Sequence, residues 1–168
     1  SMTWENSSIR KWLNGEFFSS AFTDEEQRAI LQTTVSTEKN PQYATEGGAD
    51  TSDKVYLLSA DEAKYKDYGF AIHYDKTSGS RQAKNSAYAL GKDVWSNDSE
   101  EYADNGWWWL RSPGSLPFKA AYVGSEGFTD YSGFIAVNTG GGVRPVLHLN
   151  LCSVTWTEAG KVSSNSAS

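Results

Sequence analysis

The sequence predicts an α+β domain: two N-terminal helices, then short antiparallel strands joined by long loops. Three observations predict it. Helical spacing and capping signals open the chain, over residues 4–30. Short apolar and aromatic runs separated by glycines gather after residue 107. No strand–helix–strand alternation of the kind that builds a parallel sheet occurs between them. A length of 168 residues suits one domain, assigned to residues 1–162, with a polar tail at 163–168.

Each element has a local reason. Residues 4–20 read as a helix, because Asn6-Ser7 offers a cap and Ile9, Trp12, Leu13 and Phe17 fall on one face. Gly15 is placed to interrupt it. Trp4, Trp12 and Phe17 are assigned to the core. Thr23-Asp24-Glu25-Glu26 is a capping box with acids in the first turn, and it starts a second helix that Ala29 and Ile30 carry onward. Residues 33–36 read as extended. The polar stretch 37–53, with Pro41 and Gly47-Gly48, reads as a long loop, and 54–59 as a short buried strand. A helical turn capped by Ser59 is expected over 61–68, an irregular stretch over 69–82, a short helix over 85–90 ended by Gly91, and a loop over 93–106. Strands are expected at 107–111, 120–123, 133–137 and 143–149, with a candidate last strand at 154–156. On the first of these, alternation puts Trp107 and Trp109 on one face and Trp108 on the other. One face is core; the other is a candidate floor for a binding surface.

Composition narrows the function. With 38% apolar and 14% aromatic residues the chain can bury a core and is not of the disordered class. Seven Trp and nine Tyr supply rings for a surface as well as a core. A net charge of -6 argues against nucleic acid, which needs clustered Lys and Arg. The single cysteine, Cys152, rules out an intrachain disulfide and any zinc spacing. It sits in an apolar run and reads as a small buried hydrophobe. Ser1-Met2 reads as a cloning remnant, and no signal peptide or membrane span is visible.

The binding signal lies near the C-terminus. Trp107-Trp108-Trp109-Leu110-Arg111-Ser112-Pro113-Gly114 and Gly141-Gly142-Val143-Arg144-Pro145-Val146-Leu147 bracket an irregular middle rich in Gly, Ser, Tyr and Phe. A rigid frame holding side chains that need not pack a core is how a binding surface is displayed. Within 115–140 the candidate anchors are Phe118, Tyr122, Phe128, Tyr131 and Phe134. The polar neighbours are Ser115, Lys119, Ser125, Glu126, Asp130, Ser132 and Asn138. Alternation sends some positions inward, with Ala120, Val123, Ile135 and Val137 the best core candidates. Arg111 and Arg144, beside proline turns, read as donors to backbone carbonyls or buried carboxylates.

Thr3-Trp4-Glu5-Asn6-Ser7-Ser8-Ile9-Arg10-Lys11-Trp12-Leu13-Asn14, then Asp53-Lys54-Val55-Tyr56-Leu57-Leu58-Ser59, then the two frame segments resemble a bacterial domain family. That family looks like a branch of the C-type lectin fold, in the subclass of the formylglycine-generating enzyme. Gly142-Val143-Arg144 matches the subclass's closing Gly-aromatic/aliphatic-Arg motif, and the similarity runs from residue 3 to about 151. Variable proteins of diversity-generating retroelements use the same framework. In those, a reverse transcriptase miscopies template adenines, and asparagine codons diversify near the C-terminus. Such codons yield Ser, Tyr, Phe, Asp and Gly but never Trp, Met, Gln, Lys or Glu. Residues 115–140 hold no Trp, Met or Gln; Lys119 and Glu126 depart from the rule. The resemblance implies receptor recognition by a variable surface, on a protein that is cell-surface, secreted or virion-associated.

Catalysis is not expected. The formylglycine-generating activity would need a pair of cysteines, and related iron-dependent sulfoxide synthases several histidines; only His73 and His148 exist. His148, between Leu147 and Leu149, reads as a sheet-face residue and His73 as exposed. Ser112 lacks a nucleophile-elbow setting. Asp104 with Glu100 or Glu101 reads as a solvated acidic loop rather than a catalytic pair. A sugar-ligating calcium would need a Glu-Pro-Asn or Gln-Pro-Asp loop, which is missing, and Trp95-Ser96-Asn97-Asp98 only approximates the companion motif. A structural cation near Asp98, Glu100 and Asp104 remains an alternative. The expectation is no cofactor, no nucleic acid, no membrane insertion, and a protein or glycan as partner. The alternatives are a carbohydrate-binding module or a structural adhesion domain of a bacterial surface protein.

Overall fold

A computed structural model describes residues 3–135 and 140–152. Helices lead and small antiparallel sheets follow, a mixed α+β arrangement. After a 3-10 turn at Trp4–Asn6, Ser7 caps α1 (Ser8–Trp12) by accepting from the Arg10 amide. The helix widens into a π-type turn at Leu13–Phe17 and resumes as α2 (Phe18–Ala21). Gly15 lies inside the wide turn and does not end the rod. The capping box of Thr23 and Glu26 closes in both directions and starts α3 (Asp24–Ala29). Leu13 is sealed inside, whereas Trp12, expected in the core, is 36% exposed and leans on Phe17 at 5.0 Å. Ile9, Leu13 and Phe17 recur every four residues and set the inward stripe. Trp12 stands about 100° round the helix from Leu13, at the rim.

β1 (Thr33–Val35) pairs antiparallel with β2 (Thr51–Asp53). β2 falls in a stretch expected to be loop. Three polar residues show no periodicity, and Asp53 anchors the strand instead. Its fully buried carboxylate accepts from Trp4 Nε1 (2.9 Å), Arg10 Nε (2.7 Å) and Thr51 Oγ1 (2.6 Å), which ties β2 to the first helix.

Residues 54–59 are buried as expected but join no sheet. Their backbone is satisfied piecemeal. Asn14, from the π-type turn, accepts from the amides of Lys54 (2.8 Å) and Val55 (3.1 Å) and donates to the Val55 carbonyl (2.7 Å). Tyr56 exchanges both backbone bonds with Val146, and the Leu58 carbonyl accepts from the Arg111 amide. Ser59 caps the turn Glu62–Lys64. Side chains thus replace a neighbouring strand.

The main sheet has the order β3 (Trp108–Pro113), β4 (Lys119–Val123), β5 (Thr129–Ile135), all antiparallel. β3 is buried at every residue. Trp108 and Leu110 join Leu58, Ala121, Val123 and Tyr131 in one core cluster, and Trp109 joins Trp4, Leu13, Val55 and Leu57 in another. The strand expected at 143–149 does not add to this sheet. It bridges one residue at a time, Val146 with Tyr56 and Leu149 with Ile30, and Gly142 just before it pairs with Trp108. Cys152, expected to be buried, is exposed. The chain turns there, with its amide on Asn150 Oδ1 at 3.0 Å, so the apolar run does not carry it inward. The short helix α4 (Ala87–Leu90) starts at Ser86 and stops at Gly91. Val137 and the segment 154–156 lie outside the described residues. Among the described residues no helix is long and apolar enough to cross a membrane.

Arg81 is the least foreseeable core residue. It is fully buried and donates from Nε to Gly127 O (2.7 Å), from Nη1 to Ala63 O (3.4 Å) and Ala71 O (2.7 Å), and from Nη2 to His73 O (2.5 Å) and Lys76 O (3.2 Å). Burial lowers its pKa from the ordinary guanidinium value. One side chain thus holds the irregular stretch 71–76 against the β4–β5 turn. Replacing it with Lys keeps the charge but loses the planar fork. Arg81→Lys is expected to cost at least about 3 kcal/mol of unfolding free energy in urea titration, since several buried carbonyls lose their donors.

Candidate functional site

The two frame segments meet in one seam. The Gly142 amide donates to the Trp107 carbonyl (2.7 Å), and the Trp109 amide donates to the Gly142 carbonyl (3.0 Å). Gly141 is required there, because a β-carbon would run into the rings of Trp107 and Trp109. Arg111 pairs with Glu62 and donates to Leu57 O (2.7 Å) and Ser36 O (2.9 Å). Arg144 lies 4.7 Å over the Trp108 ring and donates to Arg81 O (3.4 Å). Both arginines are structural donors. Residues 115–135 therefore leave from, and Gly140 returns to, one fixed edge.

The middle, expected to be irregular, is largely the β4–β5 hairpin, and its pleat sorts the candidates. Ala121, Val123 and Tyr131 face Trp108. Tyr131, a candidate anchor, is only 3% exposed. Its ring meets Tyr74 edge-on at 5.0 Å and its hydroxyl lies 3.2 Å from Lys64 Nζ. It is a core residue: it follows Asp130 in the chain and turns to the opposite side, into the cluster of Ala121 and Val123. Ser125 is likewise buried: its hydroxyl accepts from Asn97 Nδ2 (2.9 Å) and its carbonyl from Asn105 Nδ2 (3.1 Å). Ser115 is spent on the Ser132 carbonyl through both its amide (2.8 Å) and its hydroxyl (2.9 Å). Phe118 is 49% exposed and stands with Leu116 at the β3–β4 turn, while Lys119 and Ile135 pair across the far end of the hairpin. Ile135, expected in the core, is exposed because it lies past a bulge that carries the edge strand out. Asn138 lies outside the described residues.

Asp130 fixes that bulge. Oδ1 accepts from the Ser132 amide (2.7 Å), the Ser132 hydroxyl (2.6 Å) and the Gly133 amide (3.2 Å), and Oδ2 accepts from the Tyr122 hydroxyl (3.0 Å). Gly133 takes φ 74°, a left-handed conformation that favours glycine. Ala120 pairs with Phe134 and Tyr122 with Asp130, so the residues 131–133 are looped out between two paired positions that share a face. Burial opposes ionisation of Asp130, but the bonds from Ser132, Gly133 and Tyr122 outweigh it and hold the carboxyl below its ordinary value. Burial, and then the charge of Asp130, push the Tyr122 hydroxyl well above its own. Tyr122 is thus a neutral donor committed to Asp130, and what it presents outward is its ring.

Four more rings gather round it. Trp107 meets Tyr122 at 5.5 Å and stacks on Phe134 at 5.5 Å and 29°. Tyr122 lies 5.0 Å from Phe134 and 6.2 Å from Phe128. Trp95 completes the group, with its amide on Gly140 O at 3.0 Å and its carbonyl held by Asn85 Nδ2 at 2.9 Å. Trp95, Trp107, Tyr122, Phe128 and Phe134, with Gly124, Ser125 and Glu126, line an open hollow of about 340 Å³. Trp95 is 47% and Phe134 44% exposed.

Of the candidate residues, the fold brings Tyr122, Ser125, Glu126, Phe128 and Phe134 together at the hollow. Phe118, Lys119 and Ser115 lie toward the other end of the hairpin, Tyr131 is interior, and Asp130 is consumed by the bulge. The tryptophan run departs from expectation: both faces of β3 are core, Trp108 on one and Trp109 on the other, and only Trp107, ahead of the strand, lines the hollow. Trp95 had one usable signal, a large ring isolated in a polar loop. His73 is exposed, as expected. His148 is exposed too, and its ring nitrogens lie 3.0 Å from the Tyr56 hydroxyl and 3.4 Å from Thr33 Oγ1. Among the described residues no three His, Cys, Asp or Glu side chains converge as a metal site. Asp104 of the acidic loop instead faces Lys84 at 3.7 Å.

Over residues 1–151 the chain matches the model of a family described as a domain of unknown function (DUF6273), and it belongs to that family. No curated protein and no solved structure matches it.

The bulge gives a pH signature. A carboxyl held below its unfolded value adds stability that is complete above about pH 4 and is lost as the pH falls through the folded value. The gap in unfolding free energy between wild type and Asp130→Asn is expected to be constant from pH 5 to 8 and to close below about pH 4. Urea titrations across that range measure it.

Proposed function

We propose that this member of the DUF6273 family is a noncovalent recognition domain that displays ligand-binding rings on its C-terminal hairpin and performs no turnover. The observation that carries the reading is the hollow. Five rings line one opening, and Trp95 and Phe134 keep nearly half their surface in water. Large rings left half-wet beside a rigid frame are the usual anchors of recognition surfaces. Preorganisation by the Gly142 seam and the Asp130 bulge lowers the ordering cost of binding.

The resemblance extends the reading. A C-type lectin-like frame of the formylglycine-generating-enzyme subclass, with its variable segment at 115–140, fits a variable protein of a diversity-generating retroelement, at a cell surface, secreted or on a virion. The hairpin supports this by separating two kinds of position. Ala121, Val123 and Tyr131 are core and intolerant, whereas Phe118, Phe134 and Ile135 are exposed and tolerant. A carbohydrate-binding module is the second reading, favoured by the solvent-facing ring of Trp95.

Sequencing this gene across many isolates of one population tests the proposal. Substitutions are expected to concentrate at Phe118, Tyr122, Phe128 and Phe134 and to spare Ala121, Val123 and Tyr131. Variation spread evenly along the chain overturns the retroelement reading. In purified protein, Phe134→Ala is expected to change unfolding free energy by less than about 1.5 kcal/mol, and Tyr131→Ala to cost about 3–5 kcal/mol.

A further inference from the structure

We infer that the aromatic hollow is a site for a quaternary ammonium group on an uncharged stem, choline being the simplest example. The inference rests on the recognition reading above and names its ligand chemistry. Three observations support it.

The rings form walls, not a platform. Tyr122 stands at 73° to Trp107, 72° to Phe128 and 50° to Phe134. Trp107 and Phe134 stack on each other at 29°, and the five rings together give an opening of about 340 Å³ an aromatic lining, a surface that attracts cations. A sugar, by contrast, asks for one flat face and a fringe of free polar groups.

The charge at the hollow has one sign. Glu126 lines it, and among the described residues no Lys, Arg or His does. Among the described residues the Glu126 carboxylate makes no hydrogen bond and no ion pair; only its backbone carbonyl is engaged, by Ser78 and Gln82. The protein's own cations sit over other rings: Lys54 over Phe18, Lys64 over Tyr131, Lys92 over Tyr88, Arg111 over Tyr56 and Arg144 over Trp108. Among the described residues no cation is found over the rings of the hollow.

Both hydroxyls at the hollow are already committed. The Tyr122 hydroxyl is given to Asp130, and the Ser125 hydroxyl accepts from Asn97. With Glu126 the one carboxylate lining the hollow, a primary ammonium would find a protein acceptor for only part of its N–H groups among the described residues. A trimethylammonium group has no N–H to satisfy and carries its charge on an apolar surface. A ligand with an adjacent anion, such as phosphocholine or betaine, meets Glu126 with no basic residue to offset the repulsion.

Titrating the full chain with choline chloride at low ionic strength, against sodium chloride, tests the inference through tryptophan fluorescence, since Trp95 and Trp107 line the hollow. Saturable binding is expected. The neutral isostere 3,3-dimethylbutan-1-ol, phosphocholine and betaine are each expected to bind at least about fivefold more weakly. Phe134→Ala and Trp95→Ala are expected to weaken choline at least about fivefold, with unchanged circular dichroism certifying the fold. Glu126→Gln is expected to weaken it severalfold and to flatten the salt dependence. Equal binding of the neutral isostere, or no saturation with choline, overturns the inference. If choline fails while a glycan array gives Phe134-dependent binding, the ligand class is wrong and the recognition reading stands. If both fail and the population shows no variation at the hairpin, the recognition reading falls as well.

Discussion

β3 has large apolar side chains on both faces, so water must be kept from both. Trp108 and Leu110 point one way and Trp109 the other, and each ring needs its own cover. Almost everything else in the fold supplies that cover. The first helix brings Trp4 and Leu13 to Trp109. The hairpin folds Ala121, Val123 and Tyr131 onto Trp108. The extended segment before Ser59 serves both sides, since Leu57 packs with Trp109 and Leu58 with Trp108. Burying such side chains is worth about 1.5–3 kcal/mol each, which makes this doubly covered strand the natural organiser of the domain. Trp107, just ahead of the strand, stays half-buried and lines the hollow.

A chain with so little regular structure must satisfy its buried backbone some other way. Here side chains do it. Asn14 acts as a strand partner for Lys54 and Val55, and Arg81 gathers carbonyls from two loops and a turn. Asn40, buried, donates to Pro113 O and Tyr131 O at 2.8 and 2.7 Å and pins the long loop to the outer sheet strands. Each lies far in sequence from what it binds. Such networks are cooperative, because losing one member strands several buried groups at once. The result is a rigid platform built from irregular segments, suited to holding a surface in a fixed shape.

The hairpin shows how two carboxylates of one segment acquire opposite duties. Asp130 turns to its own backbone, fixes the bulge and takes the Tyr122 hydroxyl. Glu126, in the turn, lines the hollow. The bulge then sets which rings meet: three looped-out residues return Phe134 to the face of Tyr122, beside Trp107. In the proposed function, shape comes from Asp130 and charge from Glu126.

The sequence by itself determined the elements whose causes are local. The caps of Ser7, Thr23 and Ser59, the stop at Gly91 and the alternation of Trp107, Trp108 and Trp109 depend on neighbours within a few residues, and each was legible. So were the structural duties of Arg111 and Arg144, from the proline turns beside them. Only the tertiary structure decided the rest. It made β2 a strand through Asp53, denied that status to residues 54–59 and 143–149, left Trp12, Ile135 and Cys152 in water, and sent Tyr131 inward. It also brought Trp95 to rings far along the chain. The reason is that burial, bulges and side-chain-to-backbone bonds are set by partners many residues away. A periodic pattern shows that a residue can face a core, but not whether anything arrives to cover it.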